Sequence, residues 1–225
     1  MEIFIIFGVF MLLSWMVSSR LKSRFAKYSR MPLRSGLSGR EVAERMLEDH
    51  GVAGVRVIST PGRLTDHYNP ADRTVNLSPE VYQGRSIAAA AVAAHECGHA
   101  VQHARAYAFL KMRSTLVPVV SISSKYMQWV LLLGILTVET MPGLLLAGIV
   151  MFAMTTLFSF VTLPVEFDAT RRALAWLTDT GMTSGQEHEH ARDALKWAAL
   201  TYVVAALASL ATLMYYIMIF MGRRN

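Results

Sequence analysis

Three uncharged apolar runs, residues 3–19, 143–163 and 198–221, constrain this chain more than any other feature. Each is near or above the roughly 20 residues that a helix needs to cross the hydrocarbon of a bilayer. A fourth stretch, residues 116–138, is interrupted by Pro118 and Lys125. It still counts as a span, because an even number of crossings returns the chain after it to the side it left. With 53% hydrophobic and 17% charged residues, the chain is more apolar than a soluble domain requires. The expected fold class is mostly α, an integral-membrane helical protein with about four transmembrane helices and a small α+β domain beside the bilayer.

The first run has no basic residue before it and no small-residue cleavage pattern after it, so it reads as a retained anchor rather than a signal peptide. Arg20, Lys22, Arg24, Lys27, Arg30 and Arg34 follow it directly. A basic cluster flanking a first span marks the cytoplasmic side, which puts the N-terminus outside. Arg223 and Arg224, at an external C-terminus, oppose this count. The net charge of +6 is explained by this membrane flank and needs no nucleic acid as partner. A single cysteine, Cys97, excludes an intrachain disulfide.

Five segments are expected: an anchor at 1–19, a cytoplasmic α+β region at 20–113, a transmembrane hairpin at 114–164, a second cytoplasmic segment at 165–197 and a C-terminal span at 198–225. Ser38 is a plausible N-cap for a helix burying Val42, Ala43, Met46 and Leu47. Val55 to Ile58 read as a strand, and Leu64 to Tyr68 with Arg73 to Leu77 read as a hairpin turning at Asn69-Pro70-Ala71-Asp72. From Ser86 an alanine-rich helix begins, with little bulk to keep neighbours away. Leu163-Pro164 marks a membrane exit before an amphipathic helix from Val165 to Leu177, and Ser184 with Glu187 offers a capping box for the last helix.

The alanine-rich helix carries His95-Glu96-Cys97-Gly98-His99. Histidines four apart share a helix face and can direct their imidazoles at one ion. Glu96 lies one position round, where it can reach a water held by that ion. Zinc (Zn2+) lowers the pKa of such a water toward ~7, and a carboxylate can take its proton and later protonate a leaving amine. Burying these polar residues with no metal would be costly.

Catalytic zinc usually takes a third protein ligand. His103 continues the spacing but lies about 6 Å further along the axis, which suits packing or support of a ligand better than ligation. Glu166, just past Pro164 and returned to the cytoplasmic side by the hairpin, is the better third ligand. Asp168 is placed either to hydrogen-bond a ligand histidine or to pair with Arg171 or Arg172. His67 and Tyr68 alternate on a strand, so at most one of them faces the site, as an oxyanion donor or beside an extended peptide. His188 and His190 diverge on a helix and read as a solvated first turn, and the 14 methionines read as packing.

The stretches Leu64-Thr65-Asp66-His67-Tyr68-Asn69-Pro70, Ala94 to His103 around the histidine pair, and Leu163-Pro164-Val165-Glu166-Phe167-Asp168-Ala169 resemble the YugP-type neutral zinc metallopeptidases of bacterial membranes. A more distant similarity runs to the HtpX and CAAX prenyl protease superfamily. The resemblance covers nearly the whole chain. It implies His95, His99 and Glu166 as zinc ligands and Glu96 as catalytic base. Asn69, where an acidic residue is common, and Cys97 inside the motif depart from the family pattern.

The expected function is a zinc-dependent endopeptidase of the bacterial inner membrane that hydrolyses peptide bonds by zinc-activated water on the cytoplasmic side. The expected partners are the lipid bilayer and a peptide or membrane-protein substrate. A membrane scaffold or adaptor that keeps zinc for structure alone is the alternative, though it would need no Glu96. A zinc transporter would want polar residues inside several spans, where only Lys125 is charged.

Overall fold

The computed structural model describes residues 2–222, so Arg223 and Arg224 lie outside the described residues. The chain is mostly helical, with a small sheet. In order it forms α1 (Glu2–Tyr28), α2 (Gly39–Asp49), β1 (Arg56–Ser59), β2 (His67–Asn69), β3 (Thr74–Leu77), α3 (Pro79–Tyr82), α4 (Ile87–Ala104), α5 (Ala108–Leu136), α6 (Pro142–Asp179) and α7 (Gln186–Gly222). Four of these helices, α1, α5, α6 and α7, are long and apolar enough to cross a membrane. The chain divides into two compact units, one of residues up to 16, 111–164 and from 201 onward, the other of residues 17–110 and 165–200.

In the second unit, α2 starts with a complete capping box. The Ser38 hydroxyl accepts from the Glu41 backbone N–H, and the Glu41 carboxylate accepts from the Ser38 N–H at 2.7 Å. Val42, Ala43, Met46 and Leu47 are buried in one core cluster with the alanines of α4. The Cys97 thiol lies in this interface, 3.5 Å from the Ala43 carbonyl, and burial pushes its pKa up, away from reactivity.

The strands are ordered β1-β3-β2, with β1 parallel to β3 and β2 antiparallel to it. All four residues of the central β3 are buried, and β1 and β2 are the two edges. The hairpin forms with a shorter first arm than expected, because Leu64 takes a positive φ and keeps residues 64–66 off the ladder. Asn69 ends β2, and its side chain accepts from the Ala71 N–H and donates to Asp72, which closes the turn. Ser78-Pro79 starts only the one-turn helix α3, after which Ser86 caps α4 separately by accepting from the Ala89 N–H.

Two local expectations are corrected. The Ser184 capping box is absent: the Glu187 carboxylate accepts instead from the otherwise unserved backbone N–H of Arg34, at 2.8 Å. The helices drawn on either side of Pro164 are one, since α6 runs unbroken from Pro142 to Asp179. A proline removes a single backbone donor, and a long apolar helix with good formers on both sides continues past it.

In the first unit, α5 is continuous through Pro118 and Lys125. Leu131, Val138, Leu145 and Ile149 pack where α5 meets α6. The two backbones approach closely at Gly134, where a Cβ would fall 2.6 Å from the Leu145 Cα. Large apolar side chains, among them Trp15, Trp129 and Leu136, face outward.

Candidate metal centre

Helix α4 presents His95 and His99 on one face, and the start of the 165–179 part of α6 packs across it. Gly98 makes that approach possible, because a Cβ there would meet the Ala169 carbonyl oxygen at 2.7 Å and its Cα at 3.1 Å. The close crossing brings in Glu166, which is 3% exposed. Its Oε2 lies 3.3 Å from His95 Nε2 and 3.6 Å from His99 Nε2. The two imidazoles stand edge to face, with centroids 4.9 Å apart. One donor atom from each of the three residues lies within 4.8 Å of the others, close enough to hold one metal ion.

The far nitrogens of both rings are also engaged. His95 Nδ1 is 3.2 Å from the Thr170 hydroxyl, and His99 Nδ1 is 3.1 Å from Gln102 Oε1. The orientation of the Gln102 amide follows from its neighbours. Its Nε2 faces the Val165 carbonyl at 2.8 Å and Asp168 Oδ2 at 2.9 Å, both acceptors, so the nitrogen must be there and the oxygen must face His99. His99 therefore carries a proton on Nδ1, which leaves Nε2 for the cluster. A hydrogen bond from the outer nitrogen to a fixed acceptor is the usual support of a metal-binding histidine.

Burial alone would push the His99 imidazole down, but the facing Glu166 carboxylate, helped by Glu96, outweighs it and holds the group above its ordinary pKa. The pocket thus favours a positive charge, the place a cation would take. Two neutral-capable imidazoles and a carboxylate are also the ligand types that suit zinc. Glu96, one position round α4, is buried, and burial raises its carboxyl above the usual range although both histidines oppose the rise. Among the described residues its carboxylate makes no hydrogen bond.

The other sequence candidates lie around this cluster. Asp168 pairs with Arg171 and Arg172, the latter at 2.6 Å, which is the arginine pairing of its two expected roles; it does not bond a ligand histidine directly but reaches His99 through Gln102. His103 is outside the three-residue cluster and meets the Tyr68 hydroxyl at 2.7 Å through Nδ1. His67 is exposed, with Nδ1 against the Thr65 carbonyl at 2.7 Å. His188 and His190 part company, the first against the Thr178 hydroxyl and the second stacked on Tyr28. Gln102 and Thr170 were not singled out in the sequence. Their signal is positional, one turn after His99 on α4 and one turn after Glu166 on α6.

A family model described as "Putative neutral zinc metallopeptidase" matches residues 3–221. The chain belongs to this family. The chain is 41% identical over 213 residues to the "Putative membrane protease YugP" of Bacillus subtilis (strain 168), covering 95% of this chain and 94% of that one. No solved structure matches the chain. Family membership implies zinc, and the His95, His99 and Glu166 cluster has the donors to hold it.

Proposed function

We propose that this chain is a multi-pass membrane zinc endopeptidase, with His95, His99 and Glu166 as ligands and Glu96 as general base. The observation that carries the reading is the convergence of both Nε2 atoms on one Glu166 oxygen while both Nδ1 atoms are held from behind. A zinc ion there would supply Lewis acidity to a substrate carbonyl and to a water molecule. With the ion in place, Glu96 would be the group to take a proton from the attacking water and to return it to the departing amine nitrogen. Gln102 and Thr170 hold the two rings in the orientation that ligation needs.

Membrane insertion is supported by four long apolar helices, by the outward apolar side chains and by the printed name of the Bacillus subtilis relative. The basic cluster after the first apolar run supports a cytoplasmic site in a bacterial inner membrane. Substrates are then peptides or membrane proteins reaching the bilayer surface.

The test compares wild type with Glu96→Gln and Glu166→Ala for bound zinc and for cleavage of an unstructured protein. Glu96→Gln should keep zinc and lose cleavage, and Glu166→Ala should lose both. Equal cleavage by wild type and Glu96→Gln would reject the mechanism. Zinc bound with no cleavage by any form would favour the structural-zinc scaffold.

A further inference from the structure

Past His99, the helix α4 borders a cavity of about 300 Å³ through Ala100, His103 and Ala104. Tyr68, Arg73 and the 52–55 loop form its other walls. Glu96, Ala100, His103 and Ala104 recur at helical spacing, so the cavity lies on the Glu96 side of α4. From Glu96, four to seven residues of helix advance about 6 to 10 Å. An extended peptide covers that distance in about two or three residues.

The cavity wall is built to donate. If the Tyr68 hydroxyl donates to His103 Nδ1, the neutral ring carries its proton on Nε2; if Nδ1 donates instead, the tyrosine O–H is free to donate elsewhere. Either way the pair keeps a donor to offer. Arg73 adds a positive charge, and its guanidinium makes no ion pair among the described residues. No aspartate or glutamate lines the cavity, since Asp72 turns to Asn69 and Glu44 and Glu48 line a different depression.

We propose that this cavity is a substrate subsite that receives a carboxylate two or three residues from the scissile bond. The carboxylate belongs to an acidic side chain or to the C-terminus of a short peptide, and the proposal rests on the metallopeptidase reading above. Recognition is by charge-assisted hydrogen bonds from Arg73 and the Tyr68–His103 pair.

The experiment uses full-length, zinc-loaded protein in detergent micelles. Matched peptides carry Glu, Gln or Lys at each of the three positions on either side of the cleaved bond, with a free or amidated C-terminus. Wild type should favour one acidic position, and Arg73→Glu should reverse the Glu-to-Lys ratio of kcat/KM by about tenfold or more. Arg73→Asn, which tolerates the positive φ of this position, should level it. A loss on Glu-to-Gln exchange assigns the side chain, and a loss on amidation assigns the C-terminus. Unchanged ratios in Arg73→Glu overturn the subsite. If wild type cleaves none of the peptides, the metallopeptidase reading is what fails. Fluorescence anisotropy then decides the subsite alone, in a Glu96→Gln background with and without Arg73→Glu: equal affinities for Glu and Lys peptides in both proteins overturn it.

Discussion

Gln102 has no exposed surface, and it makes contacts that no shorter or apolar side chain could reproduce. Replacing it by leucine would leave His99 Nδ1–H without its partner and take one of the bonds from the Val165 carbonyl and from Asp168 Oδ2, which Arg172 still holds. Zinc affinity, measured by competition with a chromogenic chelator, should fall about 10- to 100-fold. Thr170→Val should cost less, because a hydroxyl does not dictate which His95 nitrogen holds the proton. His103→Ala should leave zinc occupancy intact, since that ring bonds to Tyr68 instead. A zinc loss as large as that of Glu166→Ala would show that His103 belongs to the ligand set.

Helix α4 works as an element because it is thin. Its alanines admit α2 on one side, and Gly98 admits the 165–179 part of α6 on another. Gly98→Ala would force its Cβ against the Ala169 backbone, so the helices must part. The expected cost is about 1 to 3 kcal/mol by thermal unfolding, with reduced zinc binding. Ser38→Ala should cost about 1 kcal/mol through the lost cap of α2, without affecting the metal.

Much of this level was legible in the sequence. Apolar runs mark the long helices, and the four-residue spacing of His95 and His99 marks one face of α4. Contacts between helices were not legible: nothing in the periodicity of α4 says that Gln102 finds Val165 and Asp168 on α6. Glu166 was found because a hairpin brings it back. The sequence alone does not choose between two roles for Asp168, because its partner on α4 is an amide, which has no metal-binding signature. The missing Ser184 cap has the same cause, since Glu187 is claimed by a backbone N–H 153 residues away in sequence.

For the whole molecule, sidedness can be read with thiol chemistry in a Cys97→Ala background. Lys22→Cys should resist a membrane-impermeant maleimide in intact cells and react after lysis. Glu139→Cys, between α5 and α6, should react in intact cells. The reverse pattern would invert the topology.

Wild-type Cys97 has a different use. It is the only thiol in the chain, and it is sealed between α2 and α4 with the two histidines of the metal cluster on either side in sequence. An alkylating reagent can modify it only in molecules that have opened, so its labelling rate is a clock for native-state opening. Peeling α2 away exposes the thiol while the metal-binding face stays closed, and that event runs at the same rate with or without zinc. Global unfolding parts the ligands, and zinc slows it by mass action. The ratio of labelling rates with and without zinc therefore separates the two kinds of opening without any added probe.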